Sequence, residues 1–142
     1  MFNERGALAA DDIPALDDCN TGRIRVLIVD DDPAFRSLLG EVSRSLGYET
    51  VEAENGRQAM RLLSGLQPEL IVLDIFMPDQ DGIETLQQLR NRSPRPRVIA
   101  MSGAYSGRFL TMAKALGADA TLLKPFSIDD FVAVLQDVCS KR

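Results

Sequence analysis

The sequence predicts an α/β fold: an open, doubly wound, five-stranded parallel sheet with helices on both faces. Three observations lead there. From Ile24 onward, short apolar runs alternate five times with amphipathic stretches, the pattern of successive strand–helix units joined by right-handed crossovers. The runs "VLIV" (26–29) and "LIVL" (70–73) are apolar at every position, as expected of strands covered on both sides. Five units are too few for an eight-stranded α/β barrel. A chain of 142 residues with 45% hydrophobic and 26% charged side chains suits one soluble domain of ~150 residues.

Residues 1–23 hold Glu4, Asp11, Asp12, Asp17 and Asp18 against Arg5 and Arg23, with neither strand nor helix periodicity. They read as a flexible acidic extension in which Leu8, Ile13 and Leu16 are available to pack; the folded domain is residues 24–142. Ile24 to Val29 is the first strand. Asp32 then offers an N-cap and Pro33 a first helical residue, and Phe35, Leu38, Leu39, Val42 and Leu46 make a helical stripe that Gly47 ends. Tyr48 to Ala53 is the second strand, followed by a helix carrying Ala59, Leu62, Leu63 and Leu66. Glu69 to Leu73 is the third, followed by a helix with Ile83, Leu86 and Leu89. Arg97 to Met101 is the fourth, and Leu110, Ala113 and Leu116 precede Gly117 in the helix after it. Ala120 to Leu123 is the fifth strand, and Phe131, Val134, Leu135 and Val138 mark the last helix. These stripes, with Met101 and Met112 as gap-fillers, read as core. Arg90, Arg92, Arg95 and Arg97 read as a solvated helix end and loop.

Composition removes several functions. A net charge of −5 from 16 basic and 21 acidic residues argues against a nucleic-acid surface. No run approaches the ~18 apolar residues of a membrane span, and the N-terminus lacks the basic and apolar regions of a signal peptide; a cytoplasmic location is expected. Cys19 and Cys139 give neither metal-ligand spacing nor a disulfide framework. The chain has no histidine, which excludes Ser-His and Cys-His nucleophile pairs, imidazole metal sites and a phosphohistidine of its own.

In a doubly wound sheet the crevice lies beyond the carboxyl ends of the strands. There the sequence places Asp30, Asp31 and Asp32 after the first strand, Asp74 after the third, Ser102 after the fourth and Lys124-Pro125 after the fifth. Crowded carboxylates resist ionisation unless a cation accompanies them. With no imidazole or nearby thiolate, an all-oxygen site suits Mg2+. Asp30, Asp31 and Asp74 balance Mg2+ plus Lys124, leaving a site able to take a phosphoryl group. A carboxylate can be the in-line nucleophile for such a transfer. Asp74 is the candidate, with Asp30 and Asp31 on the metal and Ser102 and Lys124 on phosphoryl oxygens; Asp32 reads better as a helix cap.

"VLIVDDDPAFR", "ELIVLDIFMPDQDG", "VIAMSGA" and "LLKPF" resemble, in order and spacing across residues 24–140, the signature segments of the response-regulator receiver domain of two-component signalling. The resemblance implies a flavodoxin-like (βα)5 fold with strand order 2-1-3-4-5 and a cis Lys124–Pro125 peptide. It implies Asp30 and Asp31 as the metal pair, Asp31 the more direct ligand, with the Phe76 carbonyl completing the shell. Asp74 becomes the phospho-acceptor, Ser102 the switch hydroxyl and Lys124 the phosphate-sensing lysine. The implied partners are a sensor histidine kinase or histidine phosphotransfer protein, docking near the first helix, and a downstream protein reading the fourth helix and fifth strand. That face is also compatible with a homodimer through the fourth helix, fifth strand and fifth helix. With no output domain after Arg142 the chain reads as a stand-alone receiver or a receiver fragment, a signalling protein that catalyses only its own phosphorylation and dephosphorylation.

Two positions depart from the family pattern. Thr121 stands where receivers usually carry a switch aromatic, with Tyr105 the nearest aromatic in the loop after Ser102. Phe76 is large and apolar where many relatives are smaller or polar, and is expected to hinder the attacking water. A second reading is a haloacid-dehalogenase-like phosphatase with Asp30 as nucleophile and Asp32 as acid–base; Pro33 and the lack of a cap domain weigh against it. A nucleotide or flavin binder is disfavoured because no Gly-rich loop follows the first strand.

Overall fold

The computed structural model describes residues 24–76, 82–103 and 107–140. The extension 1–23, with Cys19, and Tyr105 lie outside the described residues. Five strands, β1 (Arg25–Val29), β2 (Glu49–Ala53), β3 (Leu70–Asp74), β4 (Arg97–Ser102) and β5 (Ala120–Leu123), alternate with helices α1 (Pro33–Ser45), α2 (Gly56–Leu62), α3 (Gly82–Arg90), α4 (Gly107–Ala115) and α5 (Ile128–Ser140). The strands form one parallel sheet in the order β2-β1-β3-β4-β5, as the family resemblance implies. Observed strand ends shift by one residue: Ile24, Tyr48 and Glu69 fall outside, and Asp74 and Ser102 fall inside.

Alternating strand side chains feed two cores, one on each face of the sheet. Leu27, Val29, Ile71, Leu73, Val98 and Ala100 pack with α2, α3 and α4 through Leu62, Leu86, Leu89 and Ala113. Val26, Ile28, Val72, Ile99 and Met101 pack with α1 and α5 through Leu39, Phe131, Leu135 and Val138. The uniformly apolar runs are thus used on both faces, at ~1.5–3 kcal/mol for each large side chain buried.

Local signals act as the sequence predicts. The Asp32 carboxylate accepts from the Ala34 and Phe35 amides, and Pro33 opens α1. Gly47 (φ 95) and Gly117 (φ 107) take the left-handed backbone that closes their helices. The Lys124–Pro125 peptide is cis.

Three readings are corrected. Leu38 and Met112 are 40% and 43% exposed, because each sits on the solvent side of its helix while Leu39 and Ala113, one residue on, face the core. The arginines after α3 are not simply solvated. Arg92 donates to the Leu63 carbonyl at 2.9 Å, Arg95 to the Gly117 carbonyl, and Arg97 to the Val138 carbonyl at 3.3 Å. Each guanidinium therefore meets the carbonyl end of a different helix or its closing turn, where unpaired acceptors and the helix dipole favour a cation.

Candidate functional site

Parallel register brings the ends of β1, β3, β4 and β5 to one rim. Asp30 follows β1 with its amide on the Ala53 carbonyl at 3.2 Å. Asp74 and Ser102 are the last residues of β3 and β4. The Lys124 amide donates to the Ser102 carbonyl at 2.7 Å, which fixes the lysine beside β4.

Asp30 and Ser102 are fully buried and Asp74 is 5% exposed, whereas Asp31 is open to solvent. Lys124 Nζ bridges the two buried carboxylates, at 2.9 Å from Asp30 Oδ2 and 3.3 Å from Asp74 Oδ2. It also stands 4.6 Å from the centre of the Phe35 ring, in cation–π range. The other oxygens of the two carboxylates accept main-chain amides: Asp32 N on Asp30 Oδ1 at 2.9 Å, and Phe76 N on Asp74 Oδ1 at 3.1 Å. Asp30, Asp31 and Asp74 each offer a carboxylate oxygen within 4.8 Å of the others.

The electrostatics follow from burial and charge. Burial first, and the Asp30 carboxylate second, push Asp74 up to about 6, against the opposing pull of Lys124 and the Phe76 amide. Burial alone would lower the Lys124 ammonium, but its hydrogen bond and attraction to Asp30, then those to Asp74, outweigh it and raise the group above its usual value. Among the described residues, Ser102 Oγ is buried without a hydrogen-bond partner, an uncommon state for a hydroxyl. Three carboxylates, one ammonium and an unpartnered hydroxyl suit a small hard cation and an oxyanion held together, so the residues fit Mg2+.

The six residues singled out in the sequence thus lie on one rim: Asp30, Asp74 and Lys124 in mutual contact, Asp31 in the carboxylate cluster, Phe76 through its amide, and Ser102 one main-chain bond from Lys124. The Phe76 ring is 60% exposed and meets Phe109 of α4 edge-on at 5.4 Å. Thr121 lines a hollow of about 370 Å3 with Leu110 and Lys114 of α4.

Three contributors escape the sequence reading. Arg36 donates to the Asp30 carbonyl at 2.8 Å and to Glu52 Oε1 at 3.3 Å, tying the acidic loop to β2; its helical spacing from Asp32 is the only sequence signal. Phe35 looks like core until Lys124 is placed above it. Gly82 starts α3 so close to the chain leaving β3 that a Cβ would lie 2.2 Å from Ile75 Cα; the glycine closing "MPDQDG" was the available clue.

Comparison with known proteins agrees with this geometry. The family model described as "Response regulator receiver domain" matches residues 26–136. Sporulation initiation phosphotransferase F of Bacillus subtilis is 39% identical over 75% of this chain and 86% of its own length. The Regulator of RpoS of Escherichia coli is 40% identical over 71% of this chain. This chain spans about 30% of that protein's length and 24% of Regulatory protein AtoC. Among solved structures, the Francisella response regulator 1452 receiver domain superposes with a TM-score of 0.75 at 30% identity, covering 82% of this chain and 96% of that one. A CheY-like receiver domain protein from Methanospirillum hungatei gives 0.76 at 27% identity, covering 81% and 92%. With the match running from β1 into α5 and the strand order the same, the chain belongs to the response regulator receiver family of two-component signalling proteins.

Proposed function

We propose that this receiver accepts a phosphoryl group on Asp74 from the phosphohistidine of a sensor kinase or histidine phosphotransfer protein docking near α1, in a Mg2+-dependent step. The observation that carries the reading is the bridge from Lys124 Nζ to both Asp30 and Asp74 beside a buried, unpartnered Ser102 hydroxyl. Asp30, Asp31, Asp74 and the Phe76 carbonyl would hold Mg2+, which when bound supplies charge neutralisation for the phosphoryl oxygens.

The chain's own residues do the rest. The Phe76 amide holds Asp74 Oδ1 and leaves Oδ2, which faces Lys124, as the oxygen to attack phosphorus in line. Lys124 then exchanges its contact with Asp74 for a phosphoryl oxygen, and the Ser102 hydroxyl gains the acceptor it lacks. The added charge, about −1.5 to −2 at neutral pH, draws β4 and β5 toward the acceptor and biases α4, which a downstream protein or a second copy reads. No helix of the described residues is long and apolar enough to cross a membrane, and the acidic balance disfavours nucleic acid.

The phosphatase reading gains nothing from the comparisons. Asp30, its required nucleophile, is fully buried with one oxygen on Lys124 and the other on the Asp32 amide, and Asp32 is engaged as the cap of α1. Incubation with acetyl phosphate and Mg2+, followed by intact-mass measurement, tests the proposal. We expect one added phosphate in the wild type and none in Asp74→Asn or in excess EDTA. Phosphate retained by Asp74→Asn would overturn it.

A further inference from the structure

On the rim opposite the carboxylates, a pocket of about 410 Å3 opens between the α2–β3 connection and the loop joining α3 to β4. Leu63, Leu66, Pro68 and Pro94 give it apolar lining, and Arg92, Arg95 and Arg97 line it with Glu69 as the single acid. Among the described residues, none of the three arginines forms an ion pair. Each spends donors on a main-chain carbonyl, but a guanidinium has five donors and keeps its full charge. The result is a concave cationic site on a protein whose net charge is −5, the geometry that focuses a field on an anionic partner.

The chain itself carries a segment of that charge. Arg25 opens β1, and its amide and carbonyl bond to Glu69, a lining residue, at 3.3 and 3.0 Å. The described chain therefore begins next to the pocket. Residues 1–23 carry five acids against two bases, and four of the acids flank the apolar stretch Ile13 to Leu16 in "DDIPALDD", residues 11–18. Asp18 is six residues before Ile24, a reach of ~20 Å for extended chain.

We propose that the acidic segment 11–18 binds this pocket in cis, its carboxylates on Arg92 and Arg95 and Ile13 or Leu16 on the apolar lining. The short tether supplies an effective concentration on the order of millimolar, so contacts individually weak at an exposed rim suffice. Binding is salt-sensitive because the charges are near solvent. The proposal is independent of the reaction assigned to Asp74.

Cys19, beside Asp18, allows a direct test. In the 142-residue Cys139→Ser protein, a nitroxide at Cys19 should reduce the amide signals of Gln67, Arg92 and Arg95 to about half or less at ~20 mM NaCl. The signals should recover at ~500 mM NaCl and when Asp11, Asp12, Asp17 and Asp18 are all replaced by Asn. Arg92→Glu with Arg95→Glu should abolish the effect, and adding Asp17→Arg with Asp18→Arg should restore it. Should Cys139→Ser perturb the fold, unlabelled wild type and the four-Asn variant are compared by amide shift, with differences expected at the same residues. Broadening that survives the four Asn replacements reflects mere proximity of the tether and overturns the proposal. So do unchanged pocket amides, or pocket shifts with inorganic phosphate that are indifferent to the extension's charge.

Discussion

Phe76 stands two residues after the proposed acceptor, Asp74. Its amide steadies the proposed acceptor, while its ring, 60% exposed, rests edge-on against Phe109. An edge-to-face aromatic pair contributes ~0.5–1.5 kcal/mol beyond the area it buries, so the ring is held near the acceptor. An apolar group there would hinder the water that hydrolyses an acyl phosphate and offer it no hydrogen bond. Phe76→Asn is expected to speed loss of phosphate severalfold, followed by intact mass after removal of the phosphodonor. A wild-type lifetime no longer than the variant's would remove this role. Phe109→Ala should shift the lifetime the same way by a smaller factor, because it frees the ring without deleting it.

At the scale of the element, the junction between β3 and α3 is the least forgiving. The Gly82 amide donates to the Ile75 carbonyl at 2.8 Å, and a Cβ there would also lie 2.6 Å from the Asp74 carbonyl oxygen. Since the obstructing atoms are backbone, they cannot rotate aside. Gly82→Ala is expected to destabilise the protein by about 1–3 kcal/mol and to slow phosphorylation by displacing Asp74. Gly65→Ala, where a Cβ meets nothing within 4 Å, should leave the unfolding free energy measured in urea within ~0.5 kcal/mol of wild type. The same junction shows what sequence can and cannot reveal. Apolar runs, the Asp32 cap and the stop glycines were legible because each is a local choice with a local cause. Ser102 and Lys124 were legible as phosphoryl-oxygen partners from their places at strand ends, whereas the strand order came from family resemblance, since no local signal states which strands become neighbours. Arg36 on the Asp30 carbonyl, Lys124 above Phe35 and Arg92, Arg95 and Arg97 on helix-end carbonyls are tertiary contacts. Neither periodicity nor spacing encodes them, and a charged or aromatic residue on a helix or loop reads the same with or without them.

For the whole molecule, the acidic rim sets the pH dependence of stability. The Asp74 carboxyl is raised from its ordinary range to about 6 by burial and by Asp30. The folded protein therefore holds a proton that the unfolded chain has already released, and this group's contribution to stability falls as pH climbs from about 4 through 6. Asp74→Asn removes the ionisation, so it should melt higher than wild type at pH 7.5, by on the order of 5 °C. The difference should close near pH 4. Mg2+ should raise the wild-type midpoint at pH 7.5 and do much less for the variant, because a ligand that binds only the native state stabilises it in proportion to its occupancy. A wild type that melts as high as the variant across this range would contradict the burial argument.

Arg92 and Arg95 in one short loop, and Arg97 at the start of β4 just after it, fasten to the tail of α2, the turn closing α4 and the last turn of α5. Three elements far apart in sequence thereby share a fulcrum at the edge remote from the acidic cluster. A displacement of α4 or α5 driven from that cluster would then be smallest where the guanidiniums hold the helix ends and largest at the opposite ends.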